Sequence, residues 1–109
     1  MDGSFLRFYV HENDRVGGQL AWEWLLKQAN ALGVRGGSAF RAIAGFGRHH
    51  VLREERFFEL AGSVTVEVEF IVTDDEARRL LDAVAQAGIA MFYARTPAPS
   101  GLVGADRAG

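Results

Sequence analysis

Five arginines, Arg35, Arg41, Arg48, Arg53 and Arg56, stand between positions 35 and 56, with His49 and His50 among them and only Glu54 and Glu55 opposing. The guanidinium is a planar fork that matches the oxygens of phosphate and carboxylate. Gly45 and Gly47 flank Phe46 inside this run, and glycine lets a ligand reach backbone N–H groups that a side chain would shield. These residue types support capture of an anion, such as a nucleotide phosphate. The competing reading is a solvated charged surface over residues 53–56, with Arg41 in an ion pair with another subunit. On the anion reading the ligand-binding residues are Arg41, Gly45, Gly47, Arg48, His49, His50 and Arg53.

Other chemistries have thinner support. The three histidines, His11, His49 and His50, could join a carboxylate around a metal ion. Adjacent His49 and His50, however, point to opposite sides of an extended chain and do not readily share one ion. Solvated or anion-contacting histidine is therefore the preferred reading, and no metal ligand is assigned. Glu12 and Asp14 beside His11 have the types for acid–base work, but no nucleophile stands with them in a recognisable set. Gly36-Gly37-Ser38 and Gly45-Phe46-Gly47 match neither a P-loop nor a dinucleotide fingerprint. No cofactor is identified, and an enzyme ranks last among the functions considered.

The elements that must position these residues follow from periodicity. Leu6, Phe8 and Val10 alternate with Phe5, Arg7, Tyr9 and His11 as a strand would. Ala21, Trp22, Leu25, Leu26, Ala29 and Leu32 fall on one arc of a helix, with Trp24 at its edge and Gly33 placed to end it. A strand over 39–47 follows the turn at Gly36-Gly37-Ser38, and 48–63 reads as an extended arm or hairpin tip. Val64, Val66, Val68, Phe70 and Val72 alternate with Thr65, Glu67 and Glu69 in a further strand. Thr73 and Glu76 then form a capping box, followed by a helical stripe of Ala77, Leu80, Leu81, Val84 and Ala85, and Gly88 ends that helix. A last strand is expected over 89–95. Prolines and glycines leave 97–109 as a flexible tail outside the domain 1–96.

The expected fold class is α+β: a ferredoxin-like βαββαβ chain with a four-stranded antiparallel sheet and two helices on one face. The uncovered face would carry Tyr9, Tyr93, Ile71 and Met91 among Arg7, Glu67, Glu69 and Arg95. A surface so mixed suggests that sheets pack against each other between subunits.

The 109-residue chain suffices for one small core. Its net charge of -2 argues against a dedicated nucleic-acid binder. With no cysteine, disulfides and thiolate metal sites are excluded. No apolar run approaches the roughly 18 residues of a membrane span, and the N-terminus does not read as a signal peptide. The expectation is a soluble cytoplasmic protein.

Phe40-Arg41-Ala42-Ile43-Ala44-Gly45-Phe46-Gly47 resembles the leucine-arginine-glycine-isoleucine-any-glycine-phenylalanine-glycine run of the PII-like domain-of-unknown-function family 190. Phe57-Phe58-Glu59-Leu60 and the strand leading into Asp74-Asp75-Glu76 fall in matching places, so the likeness spans roughly residues 5 to 95. Ala42 stands where the family usually has glycine, and Ser63-Val64-Thr65 lacks its usual aspartate-leucine-proline turn. The resemblance implies a ferredoxin-like fold, a homotrimer like the PII signalling proteins and no established catalysis. It also implies small ligands, often adenine nucleotides, in clefts between subunits near the base of the loop joining the second and third strands. Here that loop is 47–63, which would report to a protein partner. The alternative is a divalent-metal-binding protein like the trimeric cation-tolerance proteins of similar fold.

Overall fold

The computed structural model describes residues 2–46, 53–54 and 64–104, with only the backbone described at 53–54. Strand β1 (Ser4–His11) leads into a small hairpin, β2 (Arg15–Val16) and β3 (Gln19–Leu20), and then helix α1 (Ala21–Ala31). Strand β4 (Gly37–Arg41) is followed by two short strands, β5 (Ala44–Gly45) and β6 (Arg53–Glu54). Strand β7 (Thr65–Val72), helix α2 (Asp74–Ala87) and strand β8 (Phe92–Pro97) complete the order.

Four strands form the main sheet in the order β4-β7-β1-β8, all antiparallel. The chain's four long strands are thus arranged as in a ferredoxin-like fold, and α+β is the class observed. The centre is β1 against β7, in register from Ser4 opposite Val72 to His11 opposite Thr65. Both strands alternate between buried and half-buried positions over most of their length. One side is therefore core, and the pairing cannot slip by one residue without exposing it.

That core lies between the sheet and the helices. Leu6, Phe8, Val68, Phe70 and Val72 from the sheet meet Ala21 and Leu25 of α1 and Ala77 and Leu80 of α2. Phe8 and Phe70 meet edge to face, centroids 6.4 Å apart. Trp22, Trp24, Leu26, Leu32, Leu81 and Met91 pack around the rim, half-buried.

Local chemistry sets the helix ends. Thr73 accepts a hydrogen bond from the Glu76 N–H, and the Glu76 carboxylate accepts one from the Thr73 N–H. This is the capping box its spacing predicts. At the end of α1, Val34 N–H donates to Ala29 C=O and Gly33 N–H to Asn30 C=O, with Gly33 left-handed at φ 81°. Those two bonds define a Schellman end, sealed by burial of Val34 against the core.

One hairpin is added to the expected elements, and two expectations need revising. The connection before α1 contains the β2–β3 hairpin, because Gly17 and Gly18 both take positive φ, as a two-residue primed turn requires. The single strand expected over 39–47 is two pieces: β4 leaves the sheet after Arg41, and β5 pairs instead with β6. The last strand runs Phe92–Pro97 rather than 89–95, and Ala98 N–H still donates to Gly3 C=O at 2.9 Å.

Candidate functional site

Arg41 stands at the end of β4, where Ala42 N–H donates to Thr65 C=O at 2.9 Å. Its Nη2 lies 3.2 Å from Glu12 Oε1, an intrachain ion pair. The backbone there turns out of the sheet so that Ala44 pairs with Glu54 and Gly45 with Arg53. The structure thus brings Arg41, Gly45 and the backbone of Arg53 to one corner, the root of the arm. Gly47, Arg48, His49 and His50 lie outside the described residues, as does the Arg53 side chain. Gly45 does not adopt a positive φ, and a Cβ built on it meets nothing within 4 Å. Among the described residues, neither backbone angle nor packing requires glycine at 45.

At the opposite end of β4 a cleft of about 500 Å³ opens between Arg35–Ser38, Glu69–Ile71 and Ser100–Leu102. Glycine is required at 37, where a Cβ would sit 2.4 Å from Phe70 Cε1 and 3.2 Å from Leu26 Cδ2. A second hollow of about 240 Å³ lies on the other side of Gly36 and Gly37, against Leu26, Ala29, Val34 and Phe70.

Arg35 is shared by both hollows. Arg7, Arg41, Arg78, Arg79 and Arg95 each face a carboxylate, and Arg15 donates to Gly18 C=O. Among the described residues, Arg35 has no such partner. In the sequence Arg35 counts in the basic cluster but not among the site residues. No spacing rule marks an arginine whose neighbours happen to be glycines and a cleft.

The third feature is the sheet face opposite the helices, where side chains form cross-strand rows. Phe40, Glu67, Tyr9 and Phe92 make one row, and Ser38, Glu69, Arg7 and Ala94 the next. Ile71, Phe5 and Thr96 make the third. Tyr9 and Phe92 rings stand 5.8 Å apart, and Tyr9 Oη donates to Glu67 Oε1 at 3.3 Å. Arg7 Nε lies 3.1 Å from Glu69 Oε2 and 3.5 Å from Glu67 Oε1, with its Cζ 5.0 Å from the Phe5 ring centroid. Partial burial, and then the Glu67 carboxylate, raise the Tyr9 hydroxyl pKa above its usual range.

The register corrects the expected membership of this face. Tyr93 and Arg95 sit opposite Phe8 and Leu6 and so belong to the helix side. Tyr93 meets the Phe8 ring at 6.3 Å, and Arg95 donates to Ser4 Oγ and Asp74 Oδ1. Met91 packs against the core. Phe92 takes their place and is 72% exposed, with Phe40 at the other edge 52% exposed. Among the described residues, no helix is long and apolar enough to cross a membrane, and no group of three or more His, Cys, Asp or Glu is placed to hold a metal ion.

Comparison with known proteins bears on the same elements. A UPF0166 protein of Aquifex aeolicus (strain VF5) is 33% identical over 81 residues, covering 74% of this chain and 77% of that protein. A crystal structure from Thermus thermophilus, described as that of a PII-like signalling protein, superposes with a TM-score of 0.65. It has 18% sequence identity and covers 90% of this chain and 88% of the other. At that identity the likeness speaks for the fold. The model of the family DUF190, described as "Uncharacterized ACR", matches residues 3–91. Strands β1 to β7, both helices and the arm root all fall within that match, and the chain belongs to the DUF190 family.

Proposed function

We propose that the protein is a non-enzymatic, PII-like regulator that assembles as a homotrimer. It binds a small anionic ligand, with adenine nucleotides the first class to test, in clefts where subunits meet. Residues 48–63 carry ligand occupancy to a protein partner. The observation that carries this reading is the uncovered sheet face. Phe40 and Phe92 stand exposed at the two ends of one row with Tyr9 between them, and Phe5 and Ile71 form a second apolar group beyond the ion-paired row of Arg7 and Glu69. Helices protect the other face only, so a second copy is the natural cover for such a surface. The resemblance to a PII-like signalling structure supports the same reading.

The ligand chemistry rests on Arg35 in the cleft beside Gly36, Gly37 and Ser38, and on Arg41 at the arm root. Arg41 is held by Glu12, so an anion must compete with that carboxylate. Arg35 has no such competitor among the described residues. A ligand can shift the arm only through different affinities for its conformations, and the arm root joins β4 directly to β5.

Titration calorimetry with ATP, ADP and AMP tests the binding. The expected result is saturable binding by at least one nucleotide, weakened about tenfold or more by Arg35→Ala. Stabilisation by divalent metals alone, with no nucleotide binding, would contradict it.

A further inference from the structure

We infer that Glu12 is an internal competitor for the anion at Arg41, and that its carboxylate holds the root of the arm until an anion displaces it. This inference rests on the ligand-binding reading above and adds a regulatory contact to it.

The chain leaves the main sheet after Arg41 and rejoins it at Thr65, and Glu12 touches both places. Its Oε1 lies 3.2 Å from Arg41 Nη2, and its N–H donates to Val64 C=O at 2.7 Å. Between these contacts Ala42 N–H donates to Thr65 C=O at 2.9 Å. One residue of the loop after β1 therefore ties the outgoing strand to the returning one. The loop is a firm base for this. Asp14 N–H donates to His11 C=O, and the Asp14 carboxylate accepts from His11 N–H. Ala21 N–H, at the start of α1, donates to Asp14 C=O. Val64 is itself buried, so the carbonyl that Glu12 N–H meets is held by packing.

The ionic half of this clamp is the part that can be exchanged. The Arg41 side chain is 48% exposed and that of Glu12 31%, so an anion from solvent reaches the pair. An ion pair this exposed is weak, and a phosphate offers the guanidinium more oxygens and more charge. Neighbouring charges do not take over from Glu12, because Asp14 is engaged by His11 N–H and Arg15 by Gly18 C=O. Displacement removes the side-chain tie to β4 and leaves the backbone tie to Val64. Anion occupancy at Arg41 and the full clamp thus exclude each other, which gives the ligand the differential affinity it needs to shift the root.

The test uses the full chain and calorimetry with ATP. Glu12→Gln keeps the N–H and the side-chain size but loses the charge, and it should tighten ATP binding about threefold to tenfold. In an Arg41→Ala background the same change should leave ATP affinity within about twofold, because the competition needs both partners. Hydrogen exchange of the Ala42 amide should speed about threefold or more in Glu12→Gln, as the tie beside it is lost. Melting curves check that each variant is folded. If Glu12→Gln leaves ATP affinity unchanged or weaker, tightens it equally without Arg41, or leaves Ala42 exchange unaltered, the inference is overturned, and the ligand reading stands wherever the unaltered protein binds ATP. ATP binding that appears only once Glu12 is replaced supports the competition. If neither the unaltered protein nor any variant binds ATP or inorganic phosphate, the ligand reading fails and the competition falls with it.

Discussion

On the helix side of the sheet, Leu6, Phe8, Val68, Phe70 and Val72 are all within 1% of complete burial. On the other side the same strands present Phe5, Arg7, Tyr9, Glu67, Glu69 and Ile71, none of them fully buried. The first face is finished by the chain's own helices. The second has an ion-paired centre, Arg7 between Glu67 and Glu69, and aromatic ends. Its polar groups are mutually satisfied, which lets the face exist in water, yet its edge aromatics gain nothing there. The contrast separates residues that make the fold from residues that make contacts beyond it.

Substitutions can break this contrast or sharpen it. Phe70→Ala, on the finished face, removes the ring that meets Phe8 and closes over Gly37. It should lower unfolding free energy by about 3–5 kcal/mol in denaturant titration. Gly37→Ala should cost about 1–3 kcal/mol, because the new Cβ would sit 2.4 Å from the Phe70 ring, which must shift from its buried position in the core. Thr73→Ala removes a cap and should cost about 1 kcal/mol. Phe40→Ser with Phe92→Ser should change the stability of the separated chain by no more than about 0.5 kcal/mol each, while abolishing assembly. If this pair unfolds the chain as Phe70→Ala does, the distinction between the two faces is wrong.

The smallest effect concerns Tyr9. Its hydroxyl pKa is raised in the folded protein, chiefly by burial and next by Glu67. The folded state therefore holds that proton more tightly than the unfolded chain. The resulting stability is present below pH 10, the ordinary tyrosine value, and is lost as pH rises through the raised value. Alkaline melting curves of Tyr9→Phe should show less loss across that window than those of the unaltered protein.

How much of this was legible in the sequence depends on how much each segment is buried. Strands β1 and β7 alternate because one side of each is core, and α2 declares itself through Thr73, Glu76 and Gly88. Edge strands carry no such imprint. Five consecutive residues of β4 are exposed, and β8 exposes five of its six. Nothing in the order of Phe92 and Tyr93 says which faces the helices, and only pairing with Tyr9 and Phe8 decides it. The break after Arg41 was hidden for a related reason. Phe40, Ile43 and Phe46 read as a continuing apolar strand, yet all three are exposed.

The site divides in the same way. Arg41 and Gly45 were named from a basic cluster and its glycines, and each lies near the arm root. Arg35 emerged only once the cleft and the partners of the other arginines were visible. That an arginine lacks a carboxylate partner among the described residues is a property of its surroundings, which spacing along the chain does not encode.

The central claim is that the uncovered sheet face is a subunit interface, and sedimentation equilibrium of the full chain tests it most directly. The expected result is a single species of three times the chain mass, reduced to the chain mass by the Phe40→Ser and Phe92→Ser pair. A folded monomer that persists at high protein concentration, with that face open to water, would contradict it.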